Sequence, residues 1–178
     1  MNSDTTRAPG STDGIAVGEW RLDPARSSVE FRVHSIYGLV TVKGGFTRYC
    51  GTLDLAASPA IKLVIEADSV DTGNAKRDEH LRTADFFDAA EHPQVRFEAD
   101  AATLGGEGLA TQGVLHAAGG EAPLDLTATV RPVGDEFELE AVATVDQREL
   151  GMTWSPLGMV RAPAKLLVRG RLVRSGPV

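Results

Sequence analysis

A period of two runs through this chain and constrains it more than any other feature. In residues 28–34, Val29, Phe31 and Val33 fall on one parity while Glu30, Arg32 and His34 fall on the other. That is the alternation of a strand with one dry and one wet face. It returns in Ile61, Leu63 and Ile65 against Lys62 and Glu66, and in Val95, Phe97 and Ala99 against Arg96, Glu98 and Asp100. Leu124, Leu126, Ala128 and Val130 oppose Asp125, Thr127, Thr129 and Arg131, and Phe137, Leu139, Ala141, Ala143 and Val145 continue the series. The last segment, about 165–173, has Leu166, Val168 and Leu172 in one row with Gly170. With Trp20–Leu22, the long segment Val40–Leu55 and Leu109–His116, the count is about eight strands. Such strands, joined mostly by short turns, predict an all-β fold in which an antiparallel sheet closes on itself or folds as a sandwich. Closure also removes exposed strand edges. Gly44, Gly45 and Gly51 lie inside the long second segment, where a barrel strand would bend.

One stretch breaks the pattern. Residues 71–92, DTGNAKRDEHLRTADFFDAAEH, carry cap candidates in Thr72 and Asn74, helix formers from Ala75 to Arg82, and Pro93 as a stop. They predict one or two short helices laid across an open end of the barrel. Residues 1–17 are rich in Ser, Thr, Asp, Gly and Pro without apolar periodicity and are read as a disordered tail. Residues 18–174 keep one texture and form one domain, as the length of 178 residues also suggests.

Composition excludes several functions. A net charge of −7 and a pI near 5.1 oppose nucleic-acid binding. No run of about 20 apolar residues offers a membrane span. The N-terminus lacks the basic start and apolar run of a signal peptide, and Cys50 has no disulfide partner, so a cytoplasmic location is expected. His34, His80, His92 and His116 show no zinc-type spacing, so neither a metal nor another cofactor is expected. No G-x-S-x-G elbow occurs, and nothing around Cys50 marks a reactive thiol. Asp71, Arg77, Asp78 and His80 form the densest charged cluster and suit capping and ion-pair contacts at a helix start. The segment 150–178 carries +5 against −12 for the rest of the chain. An anionic head group could use it, but Arg169 and Arg171 fall on the wet parity, where Glu138 and Glu140 are natural neighbours.

The interior is then the remaining place for function. A barrel of eight strands is just wide enough to be filled by side chains or to hold one slender ligand. Ala99, Ala128, Ala141, Ala143 and Gly170 make much of the inward row small, which leaves room for a cavity.

Five segments carry a family resemblance: WRLDPARSSVEFRVHS (20–35), VKGGFTRYCGTLDL (42–55), SVDTGN (69–74), RDEHLRTADFFDAAEHPQVRFEA (77–99) and DQRELGMTW (146–154). From Trp20 to about Val173 the chain resembles the YceI-like family of lipocalin-like proteins. The resemblance implies an extended eight-stranded antiparallel barrel with a helical segment, an elongated apolar cavity, and binding of a polyisoprenoid chain such as an isoprenoid quinone, or another long apolar ligand. On that reading Phe31, Val33, Phe46, Phe97, Leu126, Leu139, Met152 and Trp154 are wall candidates, with Leu81, Phe86 and Phe87 covering an end. Each equally suits plain core packing. The expected function is a soluble, non-enzymatic protein that carries or sequesters the lipid, with a homodimer left open. Two alternatives stand beside it. An enzyme acting on an apolar small molecule would place His34, His80 or Asp71 against the cavity, and an interaction scaffold would have a filled barrel.

Overall fold

The computed structural model describes residues 15–35, 40–56, 59–105, 108–153 and 163–175. Among them are β1 (Glu19–Leu22), β2 (Ser28–Ser35), β3 (Val40–Phe46), β4 (Tyr49–Asp54), β5 (Ala60–Glu66), β6 (Val70–Asp71), α1 (Ala75–Leu81), β7 (Gln94–Ala99), β8 (Ala102–Gly105), β9 (Gly108–Ala117), β10 (Gly120–Val133), β11 (Glu136–Val145) and β12 (Ala164–Arg174). Pairing runs β1–β4–β5–β7–β9–β10–β11–β12 and returns from β12 to β1, so eight antiparallel strands close into a barrel. Closure is the answer to the edge problem that the alternation anticipates.

Four staves of this barrel are broken, one of them where β5 pairs β4 and β6 pairs β3 on either side of a 3-10 turn at Ala67–Ser69. β12 pairs Leu172–Arg174 with β1 and Lys165–Arg169 with β2, so β1 and β2 are one stave interrupted by a 3-10 turn at Pro24–Arg26. Asp23 caps that turn, its Oδ1 accepting from the Ala25 amide at 3.0 Å, and Pro24 supplies a fixed φ where no N–H is needed. The segment expected as one strand over 40–55 is likewise two strands. β3 pairs β2 while β4 pairs β1 and β5, and the break at 47–48 is held by the Thr47 amide donating to Ser69 O and the Arg48 amide donating to Ser69 Oγ. β7 and β8 both pair β9, making the fourth broken stave.

The glycines serve close approach more than bending. A Cβ on Gly44 would stand 2.6 Å from both Phe31 Cζ and Thr72 Cγ2, and one on Gly170 would stand 2.5 Å from Leu22 Cδ1. The space that Gly170 suggests in the sequence is therefore filled by Leu22. At the β9–β10 hairpin Ala118 (φ 50°) and Gly119 (φ 77°) both adopt the left-handed region, the geometry of a two-residue turn matched to strand twist.

The interior divides along the barrel axis. At one end Trp20, Leu22, Leu53, Leu55, Leu109, Phe137 and Leu172 pack into a solid plug, with the Trp20 and Phe137 rings edge to face at 4.8 Å. Burial of each such side chain contributes about 1.5–3 kcal/mol. Ile15, inside the expected tail, is buried in this plug, and Trp20 Nε1 donates to Ala16 O at 3.0 Å. The packed domain thus begins a few residues earlier than the composition suggests. At the other end a second apolar cluster, including Val29, Ile65, Val95, Phe97, Leu115, Leu124, Ala143 and Val145, forms a wall.

On the outer face the basic strand β12 meets acidic neighbours. Arg171 pairs with Glu138 at 2.8 Å, Arg169 with Glu140 at 3.2 Å, and Arg26 with Glu136 at 2.8 Å. Exposed pairs of this kind are screened by solvent and contribute little to stability. Their register across the sheet is the one the wet parity of Arg169 and Arg171 anticipates.

Candidate functional site

Beyond the plug the barrel is hollow. A cavity of about 450 Å³ lies between the plug and the helical segment, within the range of small-molecule sites. It is lined by side chains of the inward parity: Val29, Phe31 and Val33 from β2, Phe97 from β7, Leu115 from β9, Leu124 and Leu126 from β10, Ala141 and Ala143 from β11, and Leu166 and Val168 from β12.

The cap over this end is held by a compact polar network. Asn74 Oδ1 accepts from the Arg77 amide and starts α1. Buried Asp78 accepts from Thr72 N at 2.9 Å and Thr72 Oγ1 at 2.5 Å, while Arg77 donates from Nε to Thr72 Oγ1 and from Nη2 to Thr72 O. Arg77 and Asp78 thus meet through Thr72 at the helix start instead of pairing directly. Arg82 donates to Asp68 O and Val70 O, tying the helix end to the strand it follows. The rest of the segment is turns, so one short helix forms of the one or two expected. Phe87 folds back through its amide bond to Leu81 O, and its ring packs on Phe46 at 5.5 Å and Phe31 at 6.5 Å.

Of the residues singled out in the sequence, Phe31, Val33, Phe46, Leu81, Phe86, Phe87, Phe97, Leu126 and Met152 line this cavity. Leu139 does not. It packs against the plug cluster, two residues along β11 from Ala141. Trp154 lies outside the described residues. Leu63, Ile65, Leu115, Leu124, Val145 and Leu150 also line the cavity, and the shared parity of their strands was the signal available for most of them.

Besides Glu30, which pairs with Arg169, polar residues line the cavity at three places. Arg77 is engaged with Thr72 as described, and His80 Nε2 lies 2.8 Å from Asp85 Oδ2. The third, Gln147, stands in a tight turn after β11. There Met152 N donates to Gln147 O, Gly151 N donates to Arg148 O, and Gly151 takes φ 81°, the pairing that ends a helical turn. That turn is pressed against the β9–β10 hairpin, since a Cβ on Gly120 would come within 2.6 Å of the Leu150 backbone. Gln147 Oε1 is buried without a hydrogen-bond partner among the described residues.

The residues offered for acid–base chemistry do not converge. His80 lines the cavity, whereas His34 Nδ1 is bonded to Thr41 Oγ1 at 3.0 Å on the outer face and exposed Asp71 accepts from the Gly73 amide. Among the described residues no group of three or more His, Cys, Asp or Glu side chains is arranged to hold a metal. None of their helices is long and apolar enough to cross a membrane. The arrangement suits enclosure of an elongated apolar group in a tube closed at one end.

Comparison with known proteins agrees with this geometry. The family model described as the YceI-like domain matches residues 20–170. Protein YceI of Escherichia coli O17:K52:H18 is 33% identical over 132 residues, covering 71% of this chain and 69% of that protein. A UPF0312 protein of Pectobacterium atrosepticum is 27% identical over 176 residues, covering 92% and 91%. Among solved structures, BcnA of Burkholderia cenocepacia superposes with a TM-score of 0.76 at 20% identity, covering 84% of this chain and 98% of that one. A polyisoprenoid binding domain from Saccharophagus degradans, implicated in plant cell wall breakdown, gives 0.72 at 13% identity, covering 88% and 98%. These two share the fold.

Proposed function

The chain belongs to the YceI-like domain family, and on that premise we propose that its barrel binds one long isoprenoid chain, such as that of an isoprenoid quinone, and carries or sequesters it. The observation that supports this most directly is the apolar cavity of about 450 Å³ above a solid plug. Transfer of an apolar chain from water into such walls stabilises by about 0.8 kcal/mol per buried CH₂, so affinity accumulates with length and needs no catalytic machinery. A tube closed at one end accepts a chain tail first and leaves its head near the capped end. The Saccharophagus degradans neighbour, a polyisoprenoid binding domain, lends the ligand class.

Native mass spectrometry of the purified protein, followed by organic extraction and identification of released material, tests the reading. A bound prenyl lipid of one-to-one stoichiometry is expected. A chain that neither retains such a lipid nor takes up added prenols or prenylquinones would refute it.

A further inference from the structure

Arg32 stands between two other cations. Its register partner on β3 is Lys43 and its register partner on β12 is Lys165, so three positive side chains lie in one row across three adjacent strands. They occupy the outward parity, since Phe31, Val33, Val42 and Leu166 beside them line the cavity. Side chains directly opposed in an antiparallel pair have Cβ atoms about 4.5–5.5 Å apart, and like charges placed so repel.

The same outer surface shows how its cations are usually treated. Arg26, Arg131, Arg169 and Arg171 each sit within ion-pair distance of a glutamate. Among the described residues no carboxylate pairs with Arg32, Lys43 or Lys165, and Arg32 Nε is buried without a partner. The sequence joining β2 to β3 (36–39) and the sequence preceding β12 (150–163) contain no Asp or Glu. In a chain of net charge −7 this row is a local excess of positive charge held without counter-charge.

Its place matters. The row crosses the middle of β3, β2 just past its middle and the start of β12, on the wall of the hollow half of the barrel, and the plug closes the opposite half. An apolar ligand therefore passes on the side where the row is. We propose that Lys43, Arg32 and Lys165 form a docking surface for an anionic phospholipid membrane, seating the hollow end against the bilayer that supplies or receives the chain. The lumen lies on the other side of the wall, so a ligand head inside the cavity does not meet this row. The overall negative charge does not prevent docking, because at physiological salt charges more than about 8 Å from the surface are largely screened and the nearest cations dominate.

Vesicle flotation tests this with the full chain. Wild type should partition to phosphatidylglycerol-containing vesicles about 100-fold better than to pure phosphatidylcholine vesicles, about fivefold per cation or the equivalent of about 1 kcal/mol each. Raising the salt should remove the difference. The triple variant Arg32→Gln, Lys43→Gln, Lys165→Gln should lose it, while Lys62→Gln, Lys76→Gln, Arg131→Gln, with the same change in net charge, should keep it. Circular dichroism confirms that both variants fold. Equal binding to the two vesicle types, no binding to either, or wild-type binding by the first triple variant would overturn the proposal. Capture of an acidic protein by the row without vesicle binding would overturn it as well. None of these outcomes bears on whether a prenol binds the cavity in solution, so the docking surface and the proposed ligand stand or fall separately.

Discussion

Raising the floor of the cavity should shorten the chain it accepts. Ala141 is the position for this, because it lines the cavity and packs with the plug, with Ala128 and Val168 as its register neighbours. Ala141→Phe places about six further carbons at the closed end. A ligand that reached the floor must withdraw by roughly one isoprene unit, about five carbons. At about 0.8 kcal/mol per buried carbon that loss is about 4 kcal/mol, or about a thousandfold in affinity. A chain one unit shorter loses little, so the optimum of a prenol length series should move down by about one unit. Overpacking costs the fold about 1–3 kcal/mol, a fall in Tm of roughly 2–12 °C, so the variant remains folded at room temperature. Ala143→Phe, higher on the same wall, repeats the test if the first variant folds poorly. Binding is read by calorimetry across the series. A folded variant that binds the longest chain within about threefold of wild type, or that weakens for short and long chains alike, would refute a tube with a fixed floor.

Other residues make further expectations concrete. Gln147→Leu removes a buried acceptor without a partner and should raise the stability of the ligand-free protein by about 1–3 kcal/mol in urea denaturation; an unchanged midpoint would mean that Oε1 carries no penalty. Gly113→Ala should cost about 1–3 kcal/mol, because its Cβ would stand 2.5 Å from Glu98 O and 2.6 Å from the Phe97 ring, and wild-type stability would show that this clearance is not needed. Acid should weaken the fold through depressed carboxylates. The Arg148 guanidinium holds Asp146 down to about 2, Arg26 lowers Glu136 and Asp23, and Arg131 lowers Glu138. With folded values below unfolded ones, the unfolded chain binds protons first. Their stabilisation is complete above about pH 4.5 and is lost as pH falls toward the folded values. A Tm that stays level from about pH 5 to about pH 2.5 would contradict this.

Parity told the barrel's inside from its outside but not its height along the axis. Leu126 and Leu139 are the same residue type on the same parity of neighbouring strands and both touch the plug, yet only Leu126 reaches far enough along the axis to line the cavity. The difference is set by the stagger between strands distant in sequence, which a period of two does not encode. Gly170 looked like space for the same reason, because its filler, Leu22, comes from the far end of the chain. The breaks at 24–26, 47–48 and 100–101 also escaped the alternation, since the flanking strands resume on the same stave. Gln147 lies in a turn where no periodicity applies, and the row of Lys43, Arg32 and Lys165 exists only once three strands are in register. The aromatic wall was legible by contrast, because Phe31, Phe46 and Phe87 could satisfy their apolar surface only inward.

The division into a plug and a hollow also separates what holds the fold from what gives it a function. A residual cavity costs about 24 cal/mol per Å³, so at 450 Å³ the hollow forgoes up to about 10 kcal/mol of packing, comparable with the whole net stability of an ordinary domain. That deficit lies on one side of Ala141. On the other side Trp20, Phe137, Leu109 and Leu53 are packed at 4% exposure or less, and the hollow half adds to its own buried residues, such as Phe97 and Leu124, the Thr72–Arg77–Asp78 network and the bonds from Arg82 to the chain before α1. Hydrogen bonds hold a wall in place whether or not its apolar face is covered, which is the property a binding tube needs. A ligand chain supplies the missing contacts, and the free energy forgone in the unfilled wall becomes part of its affinity. Substitutions in the plug therefore act on folding, whereas those in the wall act on binding as well as on folding.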